Sequence, residues 1–316
     1  MGKVGRGLIP QAGDDAETVL KLAEKRTTRY LTEVRKRYPD GFAQLNRFAR
    51  QKGSPGLMDW PDWCWLPLGA SYAVASGGGA NRLTAGDSRM ADMGRIGALS
   101  AWRLTKGVYW LEPDAQQVHV DRLWQAEGVP TDPRLGLERF AAHLPQHCVY
   151  VALPPADRPT ETGPLGWPLG VFIHLEHDAN NGRPELRLVV DMDGTWDGLE
   201  PHPVLLDRPT LLASSRELAG KGLDSVLQGL VQRVGNEEDT QELAAKFGQS
   251  VPFQVWPLVE ALVDPTMTVS RWDLPGDRPE RAVSVPSPDG PRWEPANKLT
   301  RWRVSLTAPR AGLRPV

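Results

Sequence analysis

An apolar strand that ends in two closely spaced carboxylates is a recurrent device for phosphoryl transfer, and Leu188-Val189-Val190-Asp191-Met192-Asp193-Gly194-Thr195 has that form. In such chemistry Asp191 is the nucleophile, Asp193 the general acid and base, and both help to hold Mg²⁺. Downstream, Ser214, Lys221, Glu237, Glu238 and Asp239 supply the remaining residue types of a Mg-dependent phosphohydrolase or nuclease. The spacing opposes this, because each parallel crossover needs about 30 residues, and Pro201 and Pro203 interrupt the segment where the first crossover helix belongs. Asn180-Asn181-Gly182 also turns the strand before Asp191 back on its predecessor as a hairpin. A strand closing in an Asp/Gly turn is the favoured reading, with the Asp191/Asp193 pair kept as the catalytic alternative.

His174-Leu175-Glu176-His177-Asp178 has metal-ligand residue types, but the segment reads as a strand, so His174 and Glu176 share one side and His177 takes the other. A solvated sheet face carrying His and Glu is expected, and no metal site or cofactor. Cys148 lies near His143 and His147 but within an apolar run, which favours a buried structural thiol over a nucleophile. Ser76-Gly77-Gly78-Gly79 has no phosphate-loop Lys. Among the tryptophans, Trp102, Trp124 and Trp256 fall in helical text and read as core. Trp60, Trp63, Trp65, Trp167, Trp196, Trp272 and Trp293 fall in Pro- and Gly-rich loops, where a large ring with an N–H handle either seals the loop or anchors a partner.

The elements that must position these residues follow from periodicity. Asp14-Asp15-Ala16-Glu17 predicts a helix start, and Val19, Leu22, Ala23, Tyr30, Val34 and Tyr38 continue it at helical spacing. Loops and short turns are expected over 53–86, helices over 88–106, 115–126 and 133–143, and strands over 148–153, 169–178, 185–192 and 203–206. Helices return over 214–234, 237–247 and 251–263. Six prolines between 273 and 298 predict an exposed or irregular loop, and 301–306 a closing edge strand.

Composition bounds the function classes. In 316 residues, 37 Lys and Arg face 39 Asp and Glu, a net charge of −2, which excludes a surface wholly devoted to nucleic acid or anionic membrane. Residues 1–60 nevertheless hold twelve basic against seven acidic side chains, so the first helix, through Arg29, Arg35, Lys36 and Arg37, is the place for contact with RNA or the ribosome. Two cysteines fit a reducing, cytoplasmic setting. No apolar run has the length of a signal peptide or a membrane span, so no membrane partner is expected.

Several blocks taken in order resemble the second-named subtype of the type V-A anti-CRISPR proteins, carried by phages, plasmids and other mobile elements. They are Ser100-Ala-Trp-Arg-Leu-Thr-Lys-Gly-Val-Tyr-Trp-Leu-Glu112, Leu144-Pro-Gln-His-Cys-Val-Tyr-Val151, Gly170-Val-Phe-Ile-His-Leu-Glu-His177, Leu188-Val-Val-Asp-Met-Asp193 and Pro201-His-Pro-Val-Leu-Leu206, then residues 251–265. The resemblance covers roughly 95–265. It departs where the family has an acid and a Trp before the Cys of the second block, and this chain has Gln146 and His147. The resemblance implies a regulatory protein without catalytic residues. It would recognise the nascent N-terminal polypeptide of a type V-A effector nuclease, or another target, and reduce expression of its mRNA.

The expected architecture is α+β: a helical N-terminal half, a central antiparallel sheet of three to four strands packed by helices, and an irregular Pro-rich C-terminal region. Its stretches are 1–86, a basic helical region with a Trp/Gly-rich loop; 87–270, the core that carries the resemblance; and 271–316, a Pro-rich loop and closing strand. The expected partner-binding surface is the sheet and its loops, with Trp167 and Trp196 as anchors and His174 and Glu176 as polar neighbours.

Overall fold

The computed structural model describes residues 6–55, 59–78, 83, 87–124, 131–155, 168–178, 181–220, 250–274, 276–288 and 290–307. Helix α1 (Ala16–Arg37) begins where the Asp15 carboxylate accepts the Thr18 N–H at 2.8 Å, the acidic cap predicted from sequence. Val19, Leu20, Ala23, Tyr30, Leu31 and Val34 line its buried side. Helix α2 (Gly41–Arg50) follows the Pro39-Asp40 break. Helix α3 (Leu68–Ala75) lies in the stretch expected to be loop; its residues are so uniformly apolar or small that no helical period stands out.

Helix α4 (Arg89–Trp102) runs into strand β1 (Gly107–Leu111) through Lys106, whose φ of 50° is in the left-handed region. Next come α5 (Pro113–Leu123), α6 (Leu137–His143), β2 (Cys148–Ala152), β3 (Gly170–His177), β4 (Pro184–Asp191), β5 (Leu199–Leu205) and α7 (Leu211–Gly220). Helix α8 (Val251–Val263), β6 (Met267–Arg271) and β7 (Thr300–Leu306) complete the order. The rest of the helices expected over 214–234 and 237–247 lies outside the described residues, as do Lys221, Glu237, Glu238 and Asp239 of the catalytic alternative. Among the described residues, no helix is long and apolar enough to cross a membrane.

The α+β class is as expected, but the sheet is larger: seven strands in the order β5-β4-β3-β2-β1-β7-β6. Strands β2 to β5 pair antiparallel with one another in succession, as do β6 and β7. Strand β1 then pairs parallel with both β2 and β7. The run at 301–306 is therefore an interior strand, and β6 takes the edge. At the opposite edge, β5 carries Pro201 and Pro203, where the missing N–H groups cost least. The hairpin between β3 and β4 turns as its Asn-Gly text predicts, with Gly182 at φ 73° and the Asp178 N–H donating to Arg183 O at 2.9 Å.

Side chains alternate across the sheet into two cores. Tyr109, Val149, Val151, Val171, Ile173, Leu188 and Val190 meet α5, α6 and α8. Val108, Cys148, Tyr150, Phe172 and Val189 meet α1 and α4 on the other side. Trp102 and Trp256 are buried as expected, whereas Trp124 is 39% exposed. Trp60 and Trp65, assigned to loops, are buried seals.

Helix α4 crosses β2 to β5 closely because it carries glycine at two contact points. A Cβ on Gly94 would lie 2.6 Å from Pro201 Cβ, and one on Gly97 would lie 2.6 Å from Glu176 Oε1. The Pro-rich segment before β7 is an ordered strap. It is held by Ala296 N–H to Arg103 O at 3.1 Å and by Arg281 Nη2 to Ala141 O at 2.6 Å. His147 Nε2 lies 3.3 Å from Ala282 O, with its ring edge-on to Trp293 at 5.7 Å.

Two measurements check this packing. The Pro201 ring cannot yield to a new methyl group, so Gly94→Ala should lower unfolding free energy by about 1–3 kcal/mol in a urea titration. Burial, reinforced by Arg281, pushes the His147 pKa down from 6.5 to about 4. Between those values the unfolded chain takes up a proton that the fold refuses, so stability falls as the pH falls, by up to about 1.4 kcal/mol per pH unit. In calorimetric scans His147→Gln should flatten part of that decline.

Candidate functional site

The Asp191/Asp193 pair is taken apart by its surroundings. Asp191 ends β4 with 0% exposure, and four donors converge on its carboxylate. Arg26 Nε reaches Oδ2 at 3.0 Å and Tyr150 OH reaches it at 2.8 Å; Tyr30 OH reaches Oδ1 at 2.7 Å and the Gly194 N–H at 2.9 Å. A carboxylate so occupied has neither the approach nor the free lone pair that a nucleophile needs. Asp193 instead accepts the Thr195 N–H at 2.8 Å and its hydroxyl at 2.6 Å, an Asx turn. The catalytic alternative is thereby corrected: Asp191 anchors the fold and Asp193 shapes a loop.

The expected binding face is likewise covered. His174 and Glu176 do share one side of β3, but they are 3% and 2% exposed, because the glycines of α4 let that helix settle on them. Glu176 accepts Arg187 Nε at 2.8 Å, and Arg187 Nη2 also reaches Glu185 at 3.0 Å. Burial pushes the His174 pKa down to about 3, with Arg187 adding to the effect, and raises the Glu176 carboxyl against the pull of Arg187. Trp196 is 3% exposed and donates to Asp92 Oδ1 at 2.8 Å. Arg37 and Arg95 each stand 5.5 Å from its ring. None of the three is presented to a partner, and Trp167 lies outside the described residues. Cys148 is fully buried and its thiol is pushed well up by burial, which rules out the Cys-His pairing.

Two features open to solvent among the described residues bear on function, a pocket and a basic face. The pocket is a cavity of about 240 Å³ between α5, α6 and α8, lined among others by His119, Arg122, Pro133, Arg134, Trp256 and Glu260. Its walls are set by ion pairs: Arg122 to Asp264 at 2.7 Å and Arg139 to Glu260 at 2.5 Å. Burial would raise the Asp264 carboxyl, but hydrogen bonds from Thr266 and Arg122 hold it down to about 2. His119 is 3% exposed; its Nε2 makes no hydrogen bond among the described residues but stands 3.5 Å from Asp264 Oδ2. Burial and Arg122 keep its pKa below the usual imidazole value. Arg134 is exposed and has no carboxylate partner among the described residues. This pocket was missed from sequence because its residues come from segments more than a hundred positions apart.

The basic face belongs to α1, as its charge predicts, though with different members. Arg35 and Lys36 are exposed and Arg29 is half-buried. Arg37 is exposed too but is paired, with Glu33 at 3.7 Å and Asp197 at 3.9 Å.

A profile of the AcrVA2-like family, described as the anti-CRISPR type V subtype A2 family, matches residues 109–312. The chain belongs to this family. A crystal structure of AcrVA2 superimposes with a TM-score of 0.57 at 17% identity, covering 88% of this chain and 83% of that one. At that identity the likeness shows the fold alone. No curated protein matches the chain. The AcrVA2-like match starts within β1, runs through β7 and encloses the whole α5/α6/α8 pocket. Against the 95–265 stretch in which the resemblance is legible, it starts later and runs on past 265 to take in the strap, and it leaves α1 to α4 ahead of it. Membership makes this an anti-CRISPR protein by family.

Removing the charge of Asp191 while keeping its shape separates anchor from catalyst. Asp191→Asn should cost about 3–5 kcal/mol of stability, the penalty for leaving Arg26 buried without its counter-charge, as read from the urea midpoint.

Proposed function

We propose that this protein is a binding factor that recognises the nascent N-terminal polypeptide of a type V-A effector nuclease and lowers the amount of the message being translated. Family membership over residues 109–312 is the observation that carries this reading. The occupied carboxylate of Asp191 supports a mechanism that works by binding rather than by phosphoryl transfer.

We assign recognition to the α5/α6/α8 pocket rather than to the sheet face. It lies inside the matched stretch, offers an apolar floor at Leu123 and Trp256, and holds a His119 nitrogen that stands 3.5 Å from Asp264 Oδ2 without a hydrogen bond. Arginines and carboxylates alternate around its mouth, which suits an extended peptide carrying both signs of charge. Main-chain groups of such a peptide would supply the hydrogen bond that His119 Nε2 does not make.

The test is co-expression with an effector gene whose start codon is intact or mutated. Message should fall only when the start codon is intact; loss that persists without translation refutes the nascent-chain mechanism. In parallel, Arg134→Glu should weaken capture of a synthetic effector N-terminal peptide by about tenfold, 1.4 kcal/mol, in a calorimetric titration, with the melting temperature unchanged.

A further inference from the structure

Cations in this fold are mostly neutralised where they stand: Arg95 by Asp92, Arg183 by Asp207 and Glu217, Arg187 by Glu176, Arg301 by Glu17 and Glu24. The surface around α1 departs from that habit. Lys25, Arg29, Arg35 and Lys36 of α1, and Arg103 and Lys106 beyond the end of α4, form no ion pair among the described residues. Spacings of four and seven put Lys25, Arg29 and Lys36 on one side of α1, about 16 Å from first to last.

A shallow groove of about 500 Å³ runs along this side, between the helix and Leu299 of the strap. Thr28 and Thr32 contribute hydroxyls to it. Its one carboxylate, Glu24, is already held by Arg301 at 2.6 and 2.8 Å. Arg29 Nη1 is buried and has no hydrogen-bond partner among the described residues.

Beside the groove, like charges are pressed together. Arg103 is 4% exposed, stacked 4.6 Å over Phe42 and 5.5 Å from Trp65, and its Nε has no hydrogen-bond partner among the described residues. Burial lowers its pKa to about 10, with Arg35 adding to the shift, and burial and Arg35 lower Lys106 likewise. Lys106 is also the one described non-glycine residue with positive φ, a conformation that costs free energy and persists where the surroundings require it. Lys25 and Arg29 line the groove, and the other cations without ion pairs lie on the same helix or are coupled to it through Arg35, a setting that favours a linear ligand of repeating negative charge.

We propose that the α1 groove binds the phosphodiester backbone of a single-stranded nucleic acid. The cations meet successive phosphates, and the threonine hydroxyls reach phosphate or sugar oxygens. An anionic membrane would call for apolar residues to insert beside the cations, and the large exposed apolar side chains, Trp124, Leu274, Val283, Val285 and Leu306, lie on other segments. Arg37, neutralised by Glu33 and Asp197, is not part of this site.

The experiment is fluorescence anisotropy of labelled 20-nucleotide RNA and DNA of one sequence, titrated with the full chain from 50 to 200 mM salt. Binding should weaken with salt, and Lys25→Ala/Arg29→Ala/Lys36→Ala should reduce affinity at least tenfold and the log–log salt slope by about 2, near 0.7 per lost contact. Arg271→Ala, which removes a cation already paired with Asp273 and Asp277, should bind as the parent does. Circular dichroism melts of all variants report the fold. A preference for RNA points to a message and a preference for DNA to a displaced strand; either supports the site. No binding of either oligonucleotide at 50 mM salt, a triple variant that binds like the parent, or capture by phosphatidylserine vesicles without oligonucleotide binding overturns it. Because no peptide or effector is present, failure here leaves the nascent-chain reading to its own test.

Discussion

One buried ion pair, Arg26 with Asp191, holds the helical layer to the sheet. Both side chains have 0% exposure, and removing two charges from water is tolerated when further hydrogen bonds satisfy the remaining lone pairs and N–H groups. Here four acceptors take Arg26 N–H groups and four donors meet the Asp191 carboxylate. Beyond Asp191, the Arg26 guanidinium donates to Leu8 O at 2.7 Å and to Tyr150 OH and Leu169 O, each at 3.1 Å. Helix α1, β2, β4 and the entry to β3 are therefore tied at one point, and burial pushes the Tyr30 and Tyr150 phenols up so that both remain protonated donors.

The same face of the sheet carries a second charged group, Glu176, Arg187 and Glu185, under α4, and a third, Asp92 with Arg95, Tyr38 and Trp196, at the helix itself. The opposite core is apolar. Polar groups inside one layer fix which helix lies on which strand, because a shift would strand a charge, whereas an apolar face tolerates sliding. Gly94 and Gly97 are what allow α4 the approach this arrangement needs.

Much of the fold was legible in the sequence because its elements are amphipathic or have turn chemistry of their own. Helix α1 has an acidic cap and a clean apolar side, and the β3–β4 hairpin has Asn-Gly. Strand β1 was not legible: its five residues are buried on both faces, and its partners at 148–152 and 300–306 are remote, so no local alternation marks it. The candidate site fared differently. Alternation correctly put His174 and Glu176 on one side of β3, but a period of two cannot say whether water or a helix lies above them. For Asp191 the text supplied the carboxylate and its turn, and only the fold reveals that Arg26, 165 positions away, had already claimed it. The charge of α1 was legible because exposed lysines and arginines need no tertiary partner to be read.

The Asp191 anchor also bears on inheritance. Its carboxylate lies within the family-matching stretch, while its counter-charge lies on a helix ahead of it. Helices α1 to α4 are thus not an appendage that recombination can exchange at the start of β1 without consequence. A relative that acquired a different N-terminal layer would need either an arginine delivered to the same spot or an uncharged residue at the end of β4. The two positions are coupled through one ion pair, so a change at either one alone leaves a charge buried without its counter-charge.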